Sequence, residues 1–194
     1  MGKYTKDMFI RNKFENEITN EWDIISTTTL FKKDFKENES EKEIILGYAN
    51  ALNCITNYLL KQNHSNQDLI IFRQDSLAIP FIFLARHTVE LILKYICNLL
   101  GIEYKPKHGL SILWDEISVM LRENSPIQED YLEDIKNFIS VMEDLDCDGS
   151  HSRYSKDNKG KLYNEKPKFI NAFEINKFIQ NVFVNLVNSI KIGD

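Results

Sequence analysis

From Ser40 onward the chain repeats one pattern. In "SEKEIILGYANALNCITNYLLKQN" apolar side chains fall at positions 44, 45, 48, 51, 52, 55, 58 and 59, a period near 3.6. That period puts them on one face of an amphipathic helix over about 40–62. Ser40 followed by Glu43 has the spacing of a capping box at its start. "HSNQ" interrupts the pattern, and "SLAIPFIFLARHTVELILKYICNLLG" then predicts a second helix over about 76–100. Ser76 caps this helix in the prediction, Pro80 falls near its start and Gly101 ends it. It is apolar on nearly every face, which marks it as the most central helix. After the connection "EYKPKHG", the stretch "LSILWDEISVMLREN" predicts a third helix. "NSPIQEDYLEDIKNFISVMEDLD" predicts a fourth, with Ser125 at the cap and Pro126 at the first helical position, running to about 145. A loop to about 169 leads into the last helix, "NAFEINKFIQNVFVNLVNSIKI".

No convincing strand pair accompanies these segments, so the expected fold class is all-α, a bundle of about five long helices. Residues 1–38 alternate between helix-like and extended patterns and are expected to form an arm or extension ahead of a helical domain over 39–194. Composition agrees with a helical fold. Only 7 glycines and 4 prolines occur in 194 residues, too little punctuation for an all-β architecture. The longest apolar run, "LAIPFIFLA" at 77–85, is too short to span a bilayer. No apolar leader opens the chain, and no membrane partner is expected. Cys54, Cys97 and Cys147 are odd in number, far apart and without a C-x-x-C pair. They read as reduced thiols of a cytoplasmic protein, with no zinc and no cofactor implied.

Charge narrows the function. A net charge of −5 excludes a chain that is basic throughout, so any nucleic-acid site has to be a local patch. Residues 123–148 carry nine acids and one lysine, whereas 151–168 carry six Lys/Arg and two acids. That basic stretch either binds an anion or folds back onto the acidic helix.

Three constellations carry candidate chemistry. Asp144, Asp146, Asp148 and Gly149 match the first half of a calcium loop, but position eight is His151 and position twelve is Ser155 where a bidentate Glu is required. Arg86, Glu90 and Lys94 are spaced by four on one stripe of the central helix, with His87 beside them. Buried charges are costly unless paired, so these three either pair within the helix or line a functional groove. An imidazole beside a carboxylate is suited to proton transfer near neutral pH. In "HSRYSKDNKG", Arg153 offers a planar fork for phosphate, Tyr154 a ring for stacking, and His151, Lys156 and Lys159 further polar and positive groups. The same Arg153 is equally placed to pair with Asp144, Asp146 or Asp148.

The segments "RHTVELILKYI" (86–96), "KHGLSILWDEI" (107–117) and "DGSHSRYSKDNKG" (148–160) together resemble the HEPN superfamily, small all-α proteins of bacterial toxin–antitoxin and phage-defence loci. The resemblance covers about 76–192. It implies a helical bundle that dimerises with a second copy, binds RNA or a nucleotide, and meets an antitoxin or another defence-system protein as partner. Active members cut RNA without a metal, using an Arg followed four to six residues later by His. No arginine of this chain has a histidine at that spacing. By that resemblance the catalytic candidates are His87 as base or acid, Arg86 and Arg153 as phosphate clamps, and Glu90 orienting His87. Lys94, His108, His151, Tyr154 and Lys156 are the substrate-binding candidates. The rival expectation is a non-catalytic helical module that binds a protein partner.

Overall fold

A computed structural model describes residues 37–62, 67–104, 109–124, 128–150, 152–154, 156, 159–160 and 170–189. The expected arm over 1–38 lies almost wholly outside them. The described residues form an all-α bundle with no strand. Its helices are α1 (Glu37–Gln62), α2 (Gln67–Leu100), α3 (Leu110–Asn124), α4 (Glu129–Leu145), α5 (Ala172–Phe178) and α6 (Asn185–Ser189). A π-helical stretch, Ile179–Val184, joins α5 to α6.

Two predicted starts are corrected. α1 already runs at Glu37 and α2 at Gln67, so Ser40 and Ser76 lie inside helices and neither is a cap. Residues able to continue a helix precede both serines, and a local capping pattern cannot stop a helix that its upstream sequence supports. Pro80 therefore sits well inside α2, on an exposed side, where the lost backbone bond and ring clash are borne away from the core. α4 has Gln128 as its N-cap without a side-chain cap bond, while the predicted caps Ser125 and Pro126 lie outside the described residues. Gly101 does end α2. At φ +67° it makes a Schellman cap, with Gly101 N–H donating to Asn98 O (3.3 Å) and Ile102 N–H to Cys97 O (2.9 Å).

α2 is the axis of the core. Phe81, Ala85, Val89, Ile92, Leu93 and Ile96 are fully buried along it. Ile45 and Leu52 of α1, Trp114 and Ile117 of α3, Leu132, Ile135 and Met142 of α4, and Ile179 and Phe183 of the π-helical stretch complete the same cluster. Phe138 stacks on Phe178 at 4.3 Å between centroids, pinning α4 to α5. Polar groups tie the ends. Glu143 of α4 accepts from Ser111 N–H (3.1 Å) and Ser111 O–H (2.7 Å), so an acid from another helix satisfies an orphan donor at the start of α3. Asn176 donates to Asn53 Oδ1 (2.7 Å), and Gln180, at the π-helical stretch, donates to the Ala49 carbonyl (2.8 Å).

The segment Ser76–Leu100 has the length and apolarity of a bilayer span, but about half of it is packed inside this bundle. No disulfide joins the three cysteines, and burial, helped by Glu116, pushes the Cys97 thiol up to about 11.

Because Ile92 is fully buried in this core cluster, Ile92→Ala is expected to lower unfolding stability by about 2–5 kcal/mol. Urea denaturation checks this, and a loss well under 1 kcal/mol would place Ile92 outside a packed core.

Candidate functional site

The charged stripe of α2 enters the core. Arg86 is 2% exposed and Glu90 6%. Each carboxylate oxygen of Glu90 takes one cation: Oε2 accepts from Arg86 Nη1 at 2.9 Å and Oε1 from Lys94 Nζ at 2.7 Å. Of the two arrangements open to this stripe, pairing within the helix is the one adopted.

Arg86 does more than pair. Its Nε donates to the Asp146 carbonyl (2.7 Å) and its Nη2 to the Cys147 carbonyl (3.3 Å). All three guanidinium nitrogens thus meet an oxygen, two of them on the backbone that leaves α4. A rigid fork of donors suits this task, because it fixes two successive carbonyls and a carboxylate together.

The loop after α4 is folded around that clamp. Asp146 is fully buried, and its Oδ2 accepts from the Ser152 backbone N–H (3.2 Å) and the Ser152 hydroxyl. Asp148 Oδ1 accepts from the Ser150 N–H (2.8 Å) and hydroxyl in an Asx-type turn. Asp146 and Asp148 therefore spend these oxygens on bracing the turn. Among the described residues no group of three His, Cys, Asp or Glu side chains converges as metal ligands do.

Gly149 makes the turn possible. Its φ of +80° is a conformation that side chains disfavour. A Cβ at this position would lie 3.3 Å from Arg86 Nη1 and 3.4 Å from Arg153 Nη2. The two guanidinium groups therefore come within about 7 Å of each other across the glycine. Arg153 Nε donates to the Gly149 carbonyl, and its guanidinium lies 5.8 Å from the Tyr154 ring. Among the described residues no carboxylate pairs with Arg153, so the fold-back onto Asp144, Asp146 or Asp148 is not the contact it makes.

His87 stands next to this assembly. Its ring stacks on Phe83 (5.8 Å, 5° between planes) and meets the edge of Tyr48 at 4.9 Å. Burial holds its pKa below the ordinary 6.5. The Glu90 charge opposes that shift, while Lys94, Arg153 and Arg86 reinforce it. The imidazole is thus neutral at neutral pH, with three cations in electrostatic reach.

The structure brings together Arg86, His87, Glu90, Lys94 and Arg153 among the predicted site residues. Tyr154, 60% exposed, and Lys156 follow on the open side of the loop. His108 and His151 lie outside the described residues. Sequence reasoning named Asp146 as a cation-loop candidate or Arg153 partner and missed its role as a buried brace, and it missed Ser152 and Tyr48. Nothing local signals that Asp146 is buried, because its partners are a serine six residues on and an arginine sixty residues back. Tyr48 does fall on the apolar face of α1, the only hint available.

Removing Arg86 takes one cation from Glu90 and the donors from two loop carbonyls. Arg86→Leu is expected to cost about 3–5 kcal/mol, and adding Glu90→Leu to recover part of that loss. Urea midpoints of the two variants check it. A single variant as stable as wild type would contradict the clamp. No protein-family model, no curated protein and no solved structure matches the chain.

Proposed function

We propose that this protein binds RNA or a nucleotide at the rim formed by His87, Lys94, Arg153 and Tyr154. The observation that carries the reading is Arg153. Its guanidinium is held at the loop surface by Gly149 and Tyr154, has no carboxylate partner among the described residues, and lies in electrostatic reach of a neutral imidazole. A planar fork of donors beside an exposed tyrosine ring fits phosphate on one side and a base on the other. The resemblance of 86–96, 107–117 and 148–160 to the HEPN superfamily supports the same reading. With it come a homodimer, a cytoplasmic setting, a role in toxin–antitoxin or phage defence, and an antitoxin-type partner.

In this reading the catalytic roles differ from those expected. Arg86 and Glu90, which are buried, would act as positioning residues. Arg153 and Lys94 would be the cations that meet phosphate. Metal-independent cleavage needs a base for the 2′-hydroxyl proton, an acid for the leaving 5′-oxygen and a cation for the charged phosphorane. A neutral His87 suits the base and Arg153 the cation. The acid falls to His108 or His151.

A second reading, a helical module for a protein partner, is favoured by one feature. Phe138, Val141, Phe178 and Val182 line an apolar groove of about 390 Å³ between α4 and α5 with its π-helical continuation.

Fluorescence anisotropy of a labelled single-stranded RNA in EDTA, at several salt concentrations, tests the first reading. Binding is expected to weaken as salt rises. Arg153→Ala is expected to bind about tenfold more weakly, with a log–log salt slope smaller by about one. Cleavage followed on the same samples is expected to disappear in His87→Ala. No binding at low salt, or an Arg153→Ala variant that binds as wild type does, would overturn the proposal and leave the groove as the stronger lead.

A further inference from the structure

The groove between α4 and α5 has a chemistry that narrows its occupant. Phe138, Val141, Ile175, Phe178 and Val182 supply its apolar lining, and Glu174, Lys177 and Asn181 its polar one. Val141 is 51% exposed, and Phe173, next to Glu174, is 44% exposed. Apolar side chains gathered along a groove, rather than scattered singly, are what interaction surfaces show. A trough between two helices takes the ridge of a third, whose side chains enter it at a spacing of i, i+3 or i+4, and i+7. The second wall adds a backbone feature. Asn181 and Val182 belong to the π-helical stretch Ile179–Val184, and such turns inside helices are frequent at functional sites.

Charge narrows the occupant further. α4 carries Glu129, Asp130, Glu133, Asp134, Glu143 and Asp144 against the single cation Lys136. Three of these acids have partners on the page: Glu129 holds Arg122 at 2.6 Å, Glu133 lies 4.0 Å from Lys136, and Glu143 accepts from Ser111. Asp130 and Asp134 are exposed and pair with no cation among the described residues. They fall eight and four residues before Phe138, on the helix stripe that leads to it. The lysine of the lining, Lys177, is 3.7 Å from Glu174, so that pair adds no net charge. The groove is apolar within and acidic along its α4 edge. That edge repels phosphate and attracts Lys or Arg.

We propose that this groove docks an amphipathic helix of a protein partner, apolar on the face that enters and flanked by Lys or Arg that meet Asp130 and Asp134. The proposal rests on the reading of the groove as a protein-binding surface and is independent of what the Arg153 rim binds.

The probe is a labelled Leu–Lys amphipathic peptide about five turns long, set beside a twin with Glu in place of every Lys and another with Ala in place of every Leu. Fluorescence anisotropy with the full chain is the readout. The Leu–Lys peptide is expected to bind at least about tenfold more tightly than either twin, and Val141→Gln to weaken it by about tenfold. Asp130→Asn with Asp134→Asn is expected to narrow the gap between the Lys and Glu peptides. Val141, Asp130 and Asp134 are exposed, so these substitutions leave the core intact. A Leu–Lys peptide that binds no better than its Ala twin, or that binds Val141→Gln as it binds wild type, is held by bare charge attraction and overturns the proposal. Equal binding of the Lys and Glu peptides, or a gap between them that the double Asn variant leaves in place, overturns the charge selection while leaving a groove that takes apolar helices. No binding of any peptide overturns the protein-binding reading as well.

Discussion

Burying an arginine is expensive, and this fold does it at the middle of its most central helix. The expense is offset because every nitrogen of the Arg86 guanidinium finds an oxygen: one on Glu90, one on the Asp146 carbonyl and one on the Cys147 carbonyl. Glu90 is in turn held by Lys94. The result is a polar post that rises from α2 and grips the chain where it leaves α4. Without it the core would still have its apolar stripe, but the loop after α4 would have no fixed path.

The loop carries the consequence. Because Arg86 holds the carbonyls of 146 and 147, the Asp146 side chain turns inward to brace Ser152, and Gly149 crosses the guanidinium in a left-handed turn. Arg153 then lands on the outer side of that glycine, near a histidine that burial keeps neutral. Placing a cation beside a neutral imidazole also couples the two. Under the proposed function, a phosphate group seated on Arg153 would favour the protonated form of His87, so its binding would take up a proton and strengthen as pH falls toward the His87 pKa.

Much of the bundle is legible in the sequence, for a physical reason. The apolar period in 44–59, the continuous apolar faces of 76–100 and the short, well-patterned 110–124 are set by what each helix must bury. The start sites are less legible. Ser40 and Ser76 carry capping chemistry that the helix ignores, since caps act only where the upstream chain declines to be helical. The π-helical stretch at 179–184 has no local signature. There Gln180 and Asn176 reach across to Ala49 and Asn53, contacts that exist only once two distant helices meet. The site divides in the same way. The spacing of Arg86, Glu90 and Lys94 announces a ladder, but only long-range packing decides that the ladder is sealed inside. Three alternating aspartates suggest a cation loop by pattern, whereas Asp146 and Asp148 serve as braces for two serines.

The central claim is that the clamp on α2 presents Arg153 to His87. The most direct test is an NMR pH titration of the His87 imidazole in the wild-type chain and in Arg153→Ala, with His87→Gln used to identify the resonance. The account predicts a wild-type midpoint below 6.5, set first by burial, and an upward move when the Arg153 charge is removed. A midpoint at or above 6.5 would contradict the burial of His87, and one that Arg153→Ala leaves in place would show that the loop does not hold these two residues together.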